Sequence, residues 1–275
     1  MYAQLTTRCN MRCEHCMFAC SAVGEDMARD VWEAALRITW DAHGYITLGG
    51  GEPTLHPHFR DYLAQALDAR NNLGERLRVQ VITNGTNEDV CMEMLDMYRR
   101  MRADAHGTWL RFRVAISVDE WHDRDMQSDA VLRAYANEGL IHTLDGLAVA
   151  EGRAVGLPER SRRVANYSPD TDFAVRLRVA PSGVLTHYCE PSRSKSLGDA
   201  RAVYVERALD STVLLDERGG ELLRWWGAAW RWRPSATDGP RWTASRSTLD
   251  LMRLVQMSNY EMAMEKERVL FGAAS

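Results

Sequence analysis

The chain has 275 residues, a formal net charge of −4 at pH 7 and 45% hydrophobic residues. This length allows one large α/β domain or a domain with an extension, and the apolar content supports a sizeable core. The slightly acidic balance gives no bulk electrostatic reason to expect a nucleic-acid partner. No run of about 18 apolar residues predicts a membrane span, and the first residues lack the basic-then-apolar pattern of a signal peptide. Six cysteines, three of them clustered, favour a reducing, cytoplasmic location.

The first informative pattern follows a short predicted strand, Tyr2–Thr6, and reads RCNMRCEHCMFAC over residues 8–20. Within it, Cys9, Cys13 and Cys16 have the spacing C-x3-C-x2-C. Three thiolates this close in sequence can surround one soft metal centre. A complete [4Fe–4S] cluster normally takes about four cysteines. We therefore expect these three to bind such a cluster and to leave one iron without a protein ligand.

Two other interpretations of the cysteine pattern stay open. The three cysteines together with His15 could hold a structural zinc ion. Zinc sites usually pair C-x2-C with a second pair of ligands far along the chain, and no such pair is obvious here. Cys20 could instead be a fourth ligand, which would make a closed electron-transfer cluster.

Downstream of this pattern, amphipathic helices alternate with short apolar strands. Helices are predicted over 30–43, 57–70, 88–101 and 128–138, and strands over 45–48, 77–83, 109–118, 147–150 and 174–180. Such strand–helix alternation over residues 1–180 predicts about six βα units and a mostly parallel sheet.

Several of the predicted strands run directly into glycine-rich or polar sequences. The second runs into Gly50, Gly51 and Glu52, the third into the sequence TNG, and the fourth includes Ser117 and runs into Asp119. Glycine lets a ligand approach the backbone closely, and barrel enzymes keep functional groups at the carboxyl ends of strands. A plain Gly/Pro turn, or an aspartate that caps a turn, would explain the same sequences without a ligand.

Taken together, these motifs resemble the radical S-adenosylmethionine (SAM) superfamily. The likeness comprises the cysteine spacing after the first strand, the GGE sequence after the second, and the two strand ends that follow. It implies an α/β fold, a partial (βα)6 TIM-like barrel. It also implies that a [4Fe–4S] cluster on Cys9, Cys13 and Cys16 binds SAM at its open iron. Reductive cleavage of SAM would then give a 5′-deoxyadenosyl radical that abstracts hydrogen from a substrate.

The resemblance also implies which residues contact SAM. They are His15, Gly50, Gly51, Glu52, Ser117, Asp119 and Val179. His15 and Val179 would lie near the adenine, the GGE residues near the methionyl end, and the other two on the ribose and carboxylate. A Gly51→Val change is expected to impair SAM binding by steric exclusion and to leave the cluster intact. An external low-potential electron donor of the flavodoxin or ferredoxin type is the implied partner.

Beyond the predicted barrel, residues 181–189 resemble the hairpin that begins the C-terminal extension of peptide-modifying members. Those enzymes use many more cysteines to hold additional clusters, whereas Cys189 stands alone here, so we expect a clusterless extension. Cys189 is a candidate catalytic residue that would donate a hydrogen atom to the substrate radical. A buried structural thiol, or a metal ligand acting with His187, are the alternatives.

The segment 201–275 matches no known pattern and is rich in tryptophan and arginine. Its tryptophans include Trp225, Trp226, Trp230, Trp232 and Trp242, interleaved with Arg224, Arg231, Arg233 and Arg241. Such a segment could stack on bases or bind a peptide, but a helix that packs its tryptophans on the barrel is the simpler interpretation. We therefore divide the chain into a barrel at 1–180 and a hairpin-plus-helical extension at 181–275.

The substrate stays open at this point. A peptide or protein residue is favoured by the hairpin, and a nucleotide or other small metabolite by the absence of a fused peptide-recognition domain. A third possibility is a regulatory protein that binds SAM and the cluster without catalysis.

Overall fold

The computed structural model describes residues 1–42, 44–70, 76–103, 111–142, 148–149, 151–158, 162–163, 177–187, 195–207 and 211–226. Its α-helices are α1 (Arg29–Ala42), α2 (Phe59–Asp68), α3 (Glu88–Ala103) and α4 (Asp129–Asn137). Its strands are β1 (Tyr2–Thr6), β2 (Tyr45–Gly50), β3 (Arg78–Thr83), β4 (Phe112–Ser117), β5 (Ile141–His142), β6 (Ala148–Val149), β7 (Arg162–Arg163), β8 (Leu177–Val179), β9 (Val184–His187), β10 (Lys195–Asp199), β11 (Tyr204–Arg207), β12 (Ser211–Leu215) and β13 (Glu221–Trp226). None of the helices in these ranges combines the length and apolar character needed to cross a membrane.

The largest sheet has eight strands in the order β10-β9-β8-β1-β2-β3-β4-β5. The six strands from β8 to β5 are parallel, and β9 and β10 join them in antiparallel pairing. Within the described residues this sheet is open at both edges. The protein is therefore an α/β protein with the mostly parallel, unclosed sheet of a partial barrel, as the sequence predicts.

Neighbouring rows of side chains give this sheet an apolar face and a polar face. The apolar row is fully buried, lies in register across four strands, and comprises Ala3, Leu48, Val81 and Val114. The adjacent row is polar and comprises Tyr2, Thr47, Gln80 and Arg113, with Arg178 of β8 opposite Tyr2. Since successive side chains of a strand point to opposite faces and the helices share one core with the apolar row, the polar row lines the inside of the partial barrel.

Two of the predicted strands do not pair in the order in which they occur along the chain. The predicted fifth strand, 147–150, is not the one beside β4; Ile141–His142 pairs there, and Ala148–Val149 pairs with β7 in a separate sheet. The strand beside β4 begins earlier in the chain than predicted, because Gly139 adopts a left-handed conformation, with φ of 68°, and ends α4 there. The predicted sixth strand, as β8, lies beside β1 rather than beside β5. Sequence order alone does not indicate this neighbour.

The hairpin predicted after residue 180 is confirmed, and it extends the main sheet. Gly183, with φ of 91°, makes the turn between β8 and β9, and its N–H donates to the Ala180 carbonyl at 2.9 Å. The chain then forms the antiparallel sheet β11-β12-β13. Trp225 and Trp226 therefore lie in a strand, not in the predicted helix, because β13 pairs along β12. The other three tryptophans named above lie outside the described residues.

Candidate active site

The cysteine-bearing loop leaves the end of β1 and is fixed at its base by backbone pairing and one ion pair. The Cys9 N–H donates to the Ser21 carbonyl at 2.6 Å. The Arg8 guanidinium contacts both carboxylate oxygens of Asp26, at 3.0 and 2.7 Å, and also donates to the Leu55 carbonyl. This base holds the loop beside the ends of the first two strands.

The three predicted ligands, Cys9, Cys13 and Cys16, are half-buried free thiols that influence one another electrostatically. Burial, with smaller contributions from the charges of Cys9 and Cys16, raises the pKa of Cys13 to about 12. A hydrogen bond from Cys20 is the main cause that lowers the pKa of Cys16 below its usual range. The loop therefore brings the three sulfur donors into one electrostatically coupled group.

Cys20 lies beside these three thiols but is more deeply buried than they are. Its side chain is 2% exposed, and its thiol is hydrogen-bonded to Cys16. That hydrogen bond, together with burial, raises the pKa of Cys20, which favours its neutral form. In this arrangement Cys20 is hydrogen-bonded to a predicted ligand, and mutagenesis can distinguish this role from that of a fourth ligand.

The two predicted glycines at the end of β2 pack against the cysteine loop itself. A Cβ on Gly51 would lie 2.1 Å from the Arg8 carbonyl oxygen and 3.1 Å from the Cys9 Cβ. A Cβ on Gly50, whose φ is 134°, would lie 2.4 Å from the Thr6 carbonyl oxygen. The structure thus gives glycine at position 51 a reason other than space for SAM: a larger residue would displace the backbone that carries Cys9.

Glu52 is fully buried and holds two strand ends together. Its carboxylate accepts hydrogen bonds from the Thr83 hydroxyl at 2.7 Å and the Asn84 N–H at 2.7 Å. It also accepts from the hydroxyl and N–H of Thr54, at 2.6 and 3.1 Å. Burial raises the pKa of Glu52, and these four donors oppose that effect. The side chain of Glu52 is therefore occupied by protein donors. Its backbone is paired as well, since its N–H donates to the Arg8 carbonyl at 2.9 Å and its carbonyl accepts from the Leu55 N–H at 3.1 Å. The contact of Glu52 with SAM stays a prediction.

Asn84, which follows β3, links that strand end to the cysteine loop. Its amide nitrogen lies 2.9 Å from Asn10 Oδ1 and 3.8 Å from the Cys9 sulfur. Its amide oxygen accepts from the hydroxyl of Thr86 at 2.8 Å. The TNG sequence had marked this strand end, but the sequence alone did not indicate that the Asn84 side chain reaches Cys9, a predicted ligand.

The predicted polar residues after β4 meet His15 of the cysteine loop. Asp119 Oδ1 lies 2.7 Å from His122 Nδ1, and Asp119 Oδ2 lies 3.9 Å from His15 Nε2. Burial would raise the pKa of Asp119, but the hydrogen bond and charge of His122 and the charge of His15 bring it below its usual range. Burial lowers the pKa of His15, whose Nδ1 is buried without a hydrogen-bond partner among the described residues. Ser117 lies at the end of β4, where its carbonyl accepts from Gln127 at 3.0 Å.

These residues offer donors suited to two kinds of metal group. One donor atom from each of Cys13, His15 and His122 lies within 4.8 Å of the others, as a mononuclear ion would require. The three thiols on one loop, with an amide donor near Cys9, instead fit the sulfur-rich surroundings of an iron–sulfur cluster. The Nδ1 atom of His15, which has no hydrogen-bond partner among the described residues, is free to contact a polar ligand bound beside these thiols.

Of the two remaining candidates, Val179 and Cys189, the structure describes only Val179. Val179 is fully buried on the apolar face of the sheet, opposite Ala3 and Leu185. No described contact joins it to His15 or Asp119, and its role toward adenine stays a prediction. Cys189 lies outside the described residues, so its role also stays a prediction.

The sequence of this chain matches a model of a known protein family. A family model of the radical SAM superfamily matches residues 4–150, more than half of the chain. The chain therefore belongs to the radical SAM superfamily.

The matches to individual proteins cover only parts of the chains that are compared. The chain is 36% identical over 93 residues to the tungsten-containing aldehyde ferredoxin oxidoreductase cofactor-modifying protein of Pyrococcus furiosus. That stretch spans 31% of this chain and only 24% of that protein. Among solved structures, BtrN in complex with AdoMet and 2-DOIA aligns over 72% of this chain and 76% of its own, at 15% identity and a TM-score of 0.45. Native anSMEcpe with bound AdoMet and Cp18Cys peptide aligns over 73% and 76%, at 15% identity and a TM-score of 0.43.

Proposed function

We propose that Cys9, Cys13 and Cys16 bind one [4Fe–4S] cluster with an open iron, and that SAM binds there. The observation that carries this proposal is the single loop that presents three half-buried thiols beside the ends of β1 to β4. When bound, such a cluster supplies the electron that cleaves SAM into methionine and a 5′-deoxyadenosyl radical. A low-potential flavodoxin or ferredoxin would deliver that electron.

The chain's own residues supply positioning around the bound groups. Asn84 can donate to the sulfur of Cys9, and donors to ligating sulfurs are among the features that set cluster potentials. Asp119, kept ionised by His122, offers an acceptor for ribose hydroxyls. The main chain at 50–52, held against the cysteine loop, borders the expected methionyl end.

The proposed substrate is a peptide or protein residue from which the radical abstracts hydrogen. The hairpin of β8 and β9 supports this choice, since the sequence around it resembles the peptide-modifying branch. The polar row inside the barrel supports a substrate held by hydrogen bonds rather than by apolar contact. In that row the side-chain oxygen of Gln80 accepts from the hydroxyls of Tyr45 and Thr47. A small polar metabolite would use the same row and is the second candidate.

The test of catalysis is product analysis on anaerobically reconstituted, reduced protein. We expect 5′-deoxyadenosine and methionine from SAM, and neither from a variant with alanine at positions 9, 13 and 16. A wild-type protein that carries the cluster and binds SAM but forms no 5′-deoxyadenosine would contradict the proposal in favour of a regulatory binder.

The test of substrate class uses a deuterium-labelled cell extract separated by size. Hydrogen abstraction transfers deuterium from the substrate into 5′-deoxyadenosine. A peptide substrate predicts transfer from the larger fraction that protease treatment abolishes. Protease-resistant transfer from the small-molecule fraction would support the metabolite instead.

A further inference from the structure

The cysteine loop is held by a second segment that lies far away in sequence. The side chain of Arg153 donates from Nε to the Cys13 carbonyl at 2.9 Å and from Nη1 to the Cys20 carbonyl at 2.5 Å. The backbone N–H of Arg153 donates to the Cys16 carbonyl at 3.0 Å. One residue thus engages the main chain at both ends and the middle of the stretch between Cys13 and Cys20, from 140 and 133 positions away.

The residue before it is fitted to the same contact. A Cβ on Gly152 would lie 2.4 Å from the Met17 carbonyl oxygen and 2.5 Å from the Cys16 carbonyl oxygen. The φ of Gly152 is 54°, which side-chain-bearing residues rarely adopt. Both observations require glycine here for the segment to lie against the loop.

The segment is also anchored on its other side. Ala154 and Leu157 are buried and pack with Trp121 in a small cluster of their own. Trp121 follows Asp119 in the chain, and its ring lies 6.3 Å from the ring of His15. Arg153 therefore stands between the cysteine loop and the strand end that carries Asp119, on an anchored backbone.

An arginine suits this place for two physical reasons. Its planar guanidinium carries donors in a fixed fork, so it can hold two carbonyls at a set separation. It also keeps its positive charge at any physiological pH. A cluster ligated by thiolates is stabilised by a fixed positive charge nearby, and net charge is one of the features that set cluster reduction potentials.

We propose that Arg153 is a positioning residue for the cluster: it holds the Cys13–Cys20 loop in its ligating shape and places a positive charge beside it. This inference rests on the proposed function, because it takes the loop to be the cluster site. It adds a residue that the cysteine motif does not contain.

The experiment compares Arg153→Gln and Arg153→Lys with the control Arg37→Ala. Arg37 makes the same kind of contact elsewhere, from its guanidinium to the carbonyls of Val203 and Ala200 at 2.9 and 3.5 Å. The readouts are iron loss to a chelator, the reduction potential of the cluster, and amide exchange of residues 9–21 in the iron-free protein. None of them requires turnover.

We expect Arg153→Gln to lose iron to the chelator more readily, because removing a supporting contact to a metal ligand typically lowers metal affinity about 10- to 100-fold. Its potential should shift to more negative values, and the loop amides should exchange faster. Arg153→Lys, which keeps the charge but not the fork, should keep the potential near that of the wild type while still losing iron faster. Arg37→Ala should match the wild type in all three measurements.

Unchanged iron retention and loop exchange in Arg153→Gln would overturn the inference, provided that the wild type holds iron. A wild type that holds no iron would instead refute the proposed function. If Arg153→Gln does not fold, Gly152→Ala decides the matter, since it displaces the segment while keeping the arginine. Wild-type iron retention in folded Gly152→Ala would then overturn the inference.

Discussion

At the scale of single residues, Gly51 changes what the GGE sequence means in this protein. The sequence suggested that glycine leaves room for SAM, whereas the structure places the missing side chain against the Arg8 carbonyl and Cys9 Cβ. We therefore expect Gly51→Val to lower iron content after reconstitution as well as SAM affinity. Gly156→Val is the matched control, because a Cβ there meets nothing within 4 Å. Full iron content with impaired SAM binding in Gly51→Val would support the first interpretation instead.

The buried carboxylate of Glu52 holds the ends of β2 and β3 together. Glu52→Gln replaces one acceptor oxygen by an amide N–H₂ group, so a buried donor from Thr83, Asn84 or Thr54 loses its partner. Leaving a buried donor unsatisfied costs about 1–3 kcal/mol. Denaturant unfolding of the iron-free protein should show this loss. Glu93→Gln, which removes only an exposed pair with Arg60, should cost at most about 1 kcal/mol. Equal effects of the two changes would contradict the role assigned to Glu52.

Cys20 decides between an open and a closed cluster. Because its thiol is buried and donates to Cys16, we expect Cys20→Ala to keep about four irons per chain. Cys16→Ala should lose them, and Cys91→Ala, a buried thiol on α3, is the control for removing any cysteine. Iron loss in Cys20→Ala as complete as in Cys16→Ala would identify Cys20 as a fourth ligand.

At the scale of elements, the described part of the extension packs with the barrel. Leu197, Ala200, Val203 and Leu214 belong to the same buried core as β1 to β4. Arg201 also contacts Asp30 at the start of α1, at 2.8 Å. The division into 1–180 and 181–275 stays a prediction, and these contacts suggest that the two parts unfold together.

Leu214 tests that suggestion. Leu214→Ala removes a fully buried side chain and should lower the free energy of unfolding by about 2–5 kcal/mol in a single transition. Val184→Ala, at a side chain that is 40% exposed, is the control and should change little. A separate early transition in Leu214→Ala, with the main transition unchanged, would show that the extension unfolds by itself.

At the scale of the whole molecule, the sequence predicted the parts of the site that local spacing encodes. Cys9, Cys13 and Cys16 lie within one loop, and alternation of strands and helices indicated the parallel sheet. Local sequence could not indicate that β8 pairs with β1, nor that Trp225 lies in a strand, because both depend on partners distant in the chain. Arg153 could not be predicted for the same reason, because its three carbonyl partners lie far away in the chain and the residues next to it in sequence do not indicate them.

Three protein thiolates that hold a cluster should leave its remaining iron free to bind SAM. Mössbauer spectroscopy on protein reconstituted with enriched iron can distinguish that iron. We expect about four irons per chain, one of them distinct from the others, and a change in that iron alone when SAM is added. A spectrum in which all irons are equivalent and SAM changes none of them would show that the cluster has no open iron.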